Sequence, residues 1–415
     1  MATVWNRIST LIRISIRYGD VIVVTLGALI ALGYWISQRP QRHFDLALQD
    51  VERQDWAAVR RRAKALETSA GYFPHAQLLW GIAEIQDDQL LYAIEDLQAA
   101  MLHKETKPLA CAYAGEAWFK LRQYARAEQM LLAAHAEAPN RVDTHRWLAA
   151  LYYDTGAMGH SLVHLTKTAE LAPTDPRPHR LIGLIDKDFE NYEPAIVAYQ
   201  ESLRRAPQQP DREIVLLELA ESQVRARQYS DALVTLSQCQ ESARRQVLEA
   251  ECHFAMDGKE RAKSVLADVL RQVPNRPDAL VLLGGILLDE GDLTGAIRAL
   301  TRCLAVDPLD YTARYRLGQA YQRQGNLVEA TKHAKIAEEM KSLREEFAQL
   351  HHQAITKPHD AEIRYQLGVV ARKLNRPDLA HNWFQAALAL DPAHSAAAAA
   401  IQRESAAVGT GDRPD

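Results

Sequence analysis

The chain has 415 residues, 25% of them charged, and a formal charge of −4. Acids and bases this nearly balanced leave no whole-chain footprint for nucleic acid or another polyanion. Four cysteines, none in CxxC spacing, exclude a cysteine-rich zinc module. They read as reduced, compact apolar filler, with a Cys239–Cys252 bridge as the alternative.

Residues 1–16, with Arg17 just after them, place Trp5, Ile8, Leu11 and Ile12 among Arg7, Arg13 and Arg17, the pattern of a short interfacial helix. Val21 to Ile36 follows without a charge between Asp20 and Arg39. Residues 17–38 are therefore expected to form one transmembrane anchor, near the lower end of the ~17–25 residues a span needs. Tyr18, Tyr34 and Trp35 suit its two interfaces. No small-x-small site follows Gly33, which favours an uncleaved anchor over a signal peptide. Arg7, Arg13, Arg17 and the terminal amine slightly outweigh Arg39, Arg42 and Arg53. The expectation is a cytoplasmic N-terminus, with everything after the span outside the cytoplasm (periplasmic in a bacterial-type cell).

From Pro40 onward a 34-residue period takes over, with starts at Pro40, Pro74, Pro108, Val142 and Pro176. Position eight reads Ala47, Gly81, Gly115, Ala149 and Gly183. After a slip of three residues it continues as Ala220, Ala250, Gly284, Gly318 and Gly368. Twelve residues further on stand Val59, Ala93, Ala127, Ser161, Ala195, Ala232, Ala262, Ala296, Ala330 and Ala380. Within the repeat from Pro277, Leu280, Leu283 and Leu287 make one helical face, Glu290-Gly291-Asp292 a break, and Ala296, Leu300 and Cys303 a second face. Glycine inside a helix costs ~1 kcal/mol against alanine, so its recurrence at one position needs a packing reason. Two antiparallel helices in close contact supply it. A single pair cannot bury its own apolar face, so neighbouring pairs stack.

The pattern resembles the tetratricopeptide repeat family. The resemblance covers Pro40 to about His394, weakest in the first repeat and in the shortened one from Glu213 to Ser242. It implies an all-α, right-handed superhelical solenoid of about ten helix-turn-helix repeats, a non-enzymatic fold that binds proteins or peptides. Repeats one to five are assigned to 40–209, six to nine to 210–344, and the tenth to 361–394. Residues 345–360 read as an extended helix insertion, and 395–415 as a capping helix from Ser395 and a disordered tail.

Before that insertion ends, Ile336, Met340, Leu343, Phe347, Leu350 and Ala354 alternate steps of four and three, a heptad seam. Either the seam packs on the next repeat, or the 336–354 helix projects and supports self-association.

No phosphate-binding loop, dinucleotide fingerprint, nucleophile elbow or HExxH motif is present. No catalytic residue, cofactor or metal site is therefore assigned. His160 with His164, and His351 with His352, lack the carboxylate or thiolate that would make them convincing ligands. In the family, first-helix positions two, five, nine, twelve and thirteen line an inner groove. The resemblance places Asp143, Arg146, Tyr153, Arg177, Arg180 and Lys187 there, and further along Tyr315, Gln319, Gln322, Arg323, Tyr365, Arg372 and Lys373. Arg with Tyr and Gln suits an extended, acidic or carboxylate-bearing peptide. The Lys–Asn clamp by which some family members hold a chaperone's C-terminus is absent. The reading is a bacterial-type, membrane-anchored scaffold that organises a protein complex. Alternatives are a cell-envelope assembly or biogenesis factor, and the regulatory subunit of an enzyme system such as a separate glycosyltransferase.

Overall fold

Every element of the computed structural model, which describes residues 39–409, is a helix, and no strand occurs among the described residues. No described helix is long and apolar enough to cross a membrane. The expected interfacial segment (1–16), anchor (17–38) and last tail residues (410–415) lie outside the described residues.

The described residues fall into two compact units. Unit 1 runs to Leu121 and includes Gln129–Pro139. It holds α1 (39–52), α2 (Trp56–Glu67), α3 (Phe73–Gln86), α4 (Leu90–Met101), α5 (Lys107–Lys120) and most of α6 (Tyr124–Glu137). Unit 2 comprises Arg122–Glu128 and everything from Asn140. Its helices are α7 (Val142–Asp154), α8 (Met158–Leu171), α9 (Arg177–Asp188), α10 (Tyr192–Arg205), α11 (Arg212–Arg225), α12 (Tyr229–Leu236) and α13 (Ala243–Ala255). They continue as α14 (Lys259–Gln272), α15 (Pro277–Glu290), α16 (Leu293–Val306), α17 (Tyr311–Gln324), α18 (Leu327–Thr356), α19 (Ala361–Lys373), α20 (Pro377–Leu390) and α21 (Ser395–Gly409).

The expected helix pairs are all present, and the turn between partners has one recurring feature. Position fifteen is left-handed in all ten repeats: Gln54, Asp88, Arg122, Gly156, Glu190, Arg227, Asp257, Gly291, Gly325 and Asn375. Only three of these are glycine, the residue that adopts this geometry without steric cost. Asp292 and Asn326 then cap the next helix, accepting from the backbone N–H of Gly295 at 2.9 Å and Glu329 at 3.3 Å.

Position eight makes room across the pair for the bulky residue at position twenty-four. A methyl group on Gly81 would sit 2.6 Å from Leu97 Cγ, one on Gly284 2.6 Å from Leu300 Cγ, and one on Gly183 2.9 Å from the Tyr199 ring. Position twenty is buried in every repeat. At Ser161 the hydroxyl donates to the position-eight carbonyl of Ala149 at 2.9 Å, so the two backbones approach closely.

Unit 1 buries Phe44, Leu66, Leu79, Ile82, Leu97 and Ala114 in one core. In unit 2 the core is a relay. Leu217, Leu236 and Leu248 join α11 to α13; Leu266, Val269 and Ile286 join α14 to α15; Leu300, Leu304 and Leu317 join α16 to α17. The shortened sixth repeat has a second helix of only 8 residues, α12. Cys239 and Cys252 pack in that region as free thiols rather than a bridge.

The extra segment belongs to one long helix. It continues the second helix of repeat nine, so that α18 runs unbroken for 30 residues. Leu350 and Ala354 bury against Ile363, Leu367 and Val370, with Leu343 and Phe347 at the margin. The seam therefore packs on the next repeat, as the first of the two readings holds.

Several contacts go beyond neighbour stacking. Arg364 on α19 is fully buried, and its Nε donates to the carbonyl of Thr155, at the end of α7, at 3.1 Å. Its other nitrogens donate to Lys357 O at 2.8 Å and Ala354 O at 3.2 Å. Nearby, the Trp383 ring presses on Gly156, and Arg122 bonds Gln385. The last repeat of unit 2 thus closes back on its first helices.

Candidate functional site

This closure borders a cavity of about 570 Å³ in unit 2 that opens to solvent. One wall comes from the C-terminal ends of α7 and α9, which supply Tyr153, Asp154, Asp188 and Phe189. The opposite wall is Phe347 and His351 of α18 with Trp383 of α20. Phe189 stacks on His351 with centroids 4.6 Å apart and planes 3° from parallel, and Trp383 meets the same imidazole edge-on at 5.6 Å. A second space of similar size lies alongside, sharing Asp188, Phe189, Phe347 and His351 and adding Tyr311 and Arg344.

The electrostatics follow from burial. Asp154 accepts from the Tyr124 hydroxyl at 3.3 Å, and desolvation raises its carboxyl above the usual range although Tyr124 and Arg122 oppose this. Asp188 is raised for the same reason, against the pull of Lys187. Burial, reinforced by the Arg364 charge, pushes His351 down to about 4, so its ring is neutral at physiological pH. The Trp383 indole N–H is buried without a hydrogen-bond partner. An aromatic cavity with two carboxylates favours a cation or a hydrogen-bond donor carried on an apolar stem.

Of the residues expected in the groove, Tyr153 lines the cavity, half-buried. The cations expected beside it are engaged elsewhere. Arg146 pairs with Asp175 at 2.9 Å and Asp143 at 3.1 Å. Arg177 grips Asp175 through two nitrogens, each at 2.9 Å. Arg180 pairs with Asp211, and Lys187 with Glu218 and Glu221. Arg244 of the following repeat completes that cluster, 2.7 Å from Glu221. These pairs form a ladder that ties each first helix to the next.

The later set is more open. Tyr315 is half exposed and stacks on Tyr311 at 6.1 Å. Gln322 and Lys373 are exposed and Gln319 is half-buried. Arg323 donates to the Leu288 carbonyl at 2.9 Å, and Arg372 lies 5.6 Å from the Phe384 ring centre. Tyr365 is tilted against Phe384 and His394. Sequence reading missed Asp154, Asp188, Phe189 and Trp383 as a set. Stacking of repeats four and five brings the ends of α7 and α9 together, and the closure through Arg364 adds Trp383.

Three tetratricopeptide-repeat family models match residues 248–302, 287–339 and 361–394. Those stretches carry the repeat, and its models agree with the helix pairs found there. No curated protein matches the sequence. Among solved structures, a crystal structure of MamA protein is 23% identical, covering 41% of this chain and 94% of its own, with a TM-score of 0.31. The pilF protein of Pseudomonas aeruginosa is 18% identical over 50% of this chain and 94% of its own, TM-score 0.39. A tetratricopeptide repeat protein from Parabacteroides merdae is 15% identical over 60% of this chain and 98% of its own, TM-score 0.40. At these identities and scores none of them carries an argument about the role of this chain.

Proposed function

We propose that the chain is a non-enzymatic scaffold, anchored by residues 17–38, that holds a partner protein through a segment seated in unit 2. The observation that supports this most is the preformed cavity walled by Tyr153, Phe189, Phe347 and Trp383, with Asp154 and Asp188 at its side. A rigid cavity of this kind binds at little ordering cost. Its chemistry favours a lysine or arginine side chain of the partner, held over aromatic faces and beside carboxylates. An acidic peptide is the weaker reading, because Arg146, Arg177, Arg180 and Lys187 already have carboxylate partners. The array is placed outside the cytoplasm on the charge bias of the anchor flanks.

Display of a random peptide library on the detergent-purified full chain tests the reading. Basic-aromatic peptides should be selected, and Asp154→Asn with Asp188→Asn should weaken them about tenfold or more. Arg177→Glu with Arg180→Glu should leave them bound. Selection of acidic peptides, lost in the second variant and kept in the first, would reverse the assignment. A cytoplasm-only reporter fused at Asp415 should be silent; an active fusion would place the repeats inside.

A further inference from the structure

From unit 1 we infer that His75, His103 and Glu105 form a binding site for a divalent metal ion of the zinc class. One ring nitrogen of each histidine and one carboxylate oxygen of Glu105 lie within 4.8 Å of one another. His75 Nε2 is 3.4 Å from Glu105 Oε2. Two ligands each about 2.0–2.1 Å from a tetrahedral ion stand roughly 3.3–3.4 Å apart, so that edge already has its span. The two imidazoles are 5.4 Å apart between centroids and tilted by 58°, which lets one nitrogen of each converge on a common point.

The site is built rather than incidental. His75, in the first turn of α3, is 3% exposed, wedged between the edge of Phe44 at 4.7 Å and the Tyr72 ring at 4.8 Å. His103 and Glu105 sit in the turn between α4 and α5, beside the fully buried Thr106. Thr106 Oγ1 donates to the Ala100 carbonyl at 2.6 Å, and the Lys107 N–H to the His103 carbonyl at 2.9 Å, so the turn is pinned before any ion arrives. Nδ1 of His75 and Nδ1 of His103 are both buried with no hydrogen-bond partner. An orphaned buried nitrogen is costly; with His75 ligating through Nε2, it is the His103 Nδ1 that an ion would satisfy, and a plain His75–Glu105 hydrogen bond leaves it unmatched.

Two nitrogens and one carboxylate without a thiolate suit zinc better than softer ions, and the fourth position is left to water or to another ligand. Glu105, 71% exposed, is free to close the remaining distance. A bound ion would staple the start of α3 to the turn between α4 and α5. The sequence carries a trace of this site: a His-x-Glu at 103–105, with a histidine at the head of the same repeat.

Titration of the metal-free full chain in detergent tests the inference, with Zn2+ followed calorimetrically and Co2+ followed by its visible absorption. One equivalent should bind, Co2+ should give the intense bands of a four- or five-coordinate ion, and Zn2+ should raise the melting midpoint. Glu105→Gln and His103→Gln, checked for intact helix content, should bind at least about tenfold more weakly and lose the midpoint shift. Because Glu105 is exposed, its variant keeps the fold where a His75 variant fails. Absence of stoichiometric binding, or equal binding by wild type and both variants through the chain's other histidines, would overturn the inference.

Discussion

Glycine at position eight is demanded in some repeats and merely permitted in one. A methyl group at Gly284 would stand 2.6 Å from Leu300 Cγ, whereas at Gly318 the nearest atoms are 3.5 Å away, ordinary contact. Gly284→Ala is therefore predicted to cost about 1–3 kcal/mol by overpacking. Gly318→Ala should be neutral or stabilise by up to about 1 kcal/mol, since alanine is the better helix former. Urea denaturation of both variants decides it, and equal effects would refute the packing account. That glycine marks tight helix contact was legible in the sequence. What it faces was not, because the identity of the position-twenty-four neighbour matters only once helices are placed. The left-handed turn was legible at Gly291 and hidden at Glu190 or Arg227, where residues that rarely adopt it do so because both flanking helices over-determine it.

Among elements, α18 shows how a repeat can lengthen without leaving the array. Its additional turns supply Leu350 and Ala354 to the core of the last repeat, so they are structural rather than a free arm. Leu350→Ala is predicted to cost about 2–5 kcal/mol and to expose α19 and α20 to protease before the rest of unit 2. Unchanged protease resistance would mean that the seam is dispensable. The heptad steps announced this helix, and a seam alone cannot say which surface it meets. The ion-pair ladder was equally within reach: Arg146 with Asp175, Arg180 with Asp211 and Lys187 with Glu218 recur about one repeat apart. Reading those cations without their partners pointed them at a ligand. The more exposed of them, such as Arg180 with Asp211, add little individually, and the weight of the ladder is in register between first helices.

At the scale of the molecule, the contact network of unit 2 makes it sensitive to acid. His351 is neutral in the folded chain, held down to about 4, and takes up a proton in the unfolded chain near 6.5. The unfolded state therefore binds more protons between those values. The contribution of His351 is complete above pH 6.5 and is lost as pH falls toward 4. Glu84, raised to about 7, and the raised Asp154 and Asp188 act in the opposite sense, so the measurement must be a difference. Against His351→Leu, the wild type should lose on the order of 2 kcal/mol between pH 6.5 and pH 4. Parallel pH profiles for the two proteins would show that the imidazole is solvated and the closure loose.

Period and turn chemistry announce only neighbours, so nothing in the sequence could announce a hydrogen bond between residues 209 apart, from Arg364 to Thr155. Its consequence is felt on the ribosome. At about 5–20 residues per second, the fourth repeat emerges roughly ten to forty seconds before the arginine that completes it. Through that interval Gly156 and the end of α7 face water, a window in which a chaperone or an eventual partner can reach surfaces that the finished chain covers.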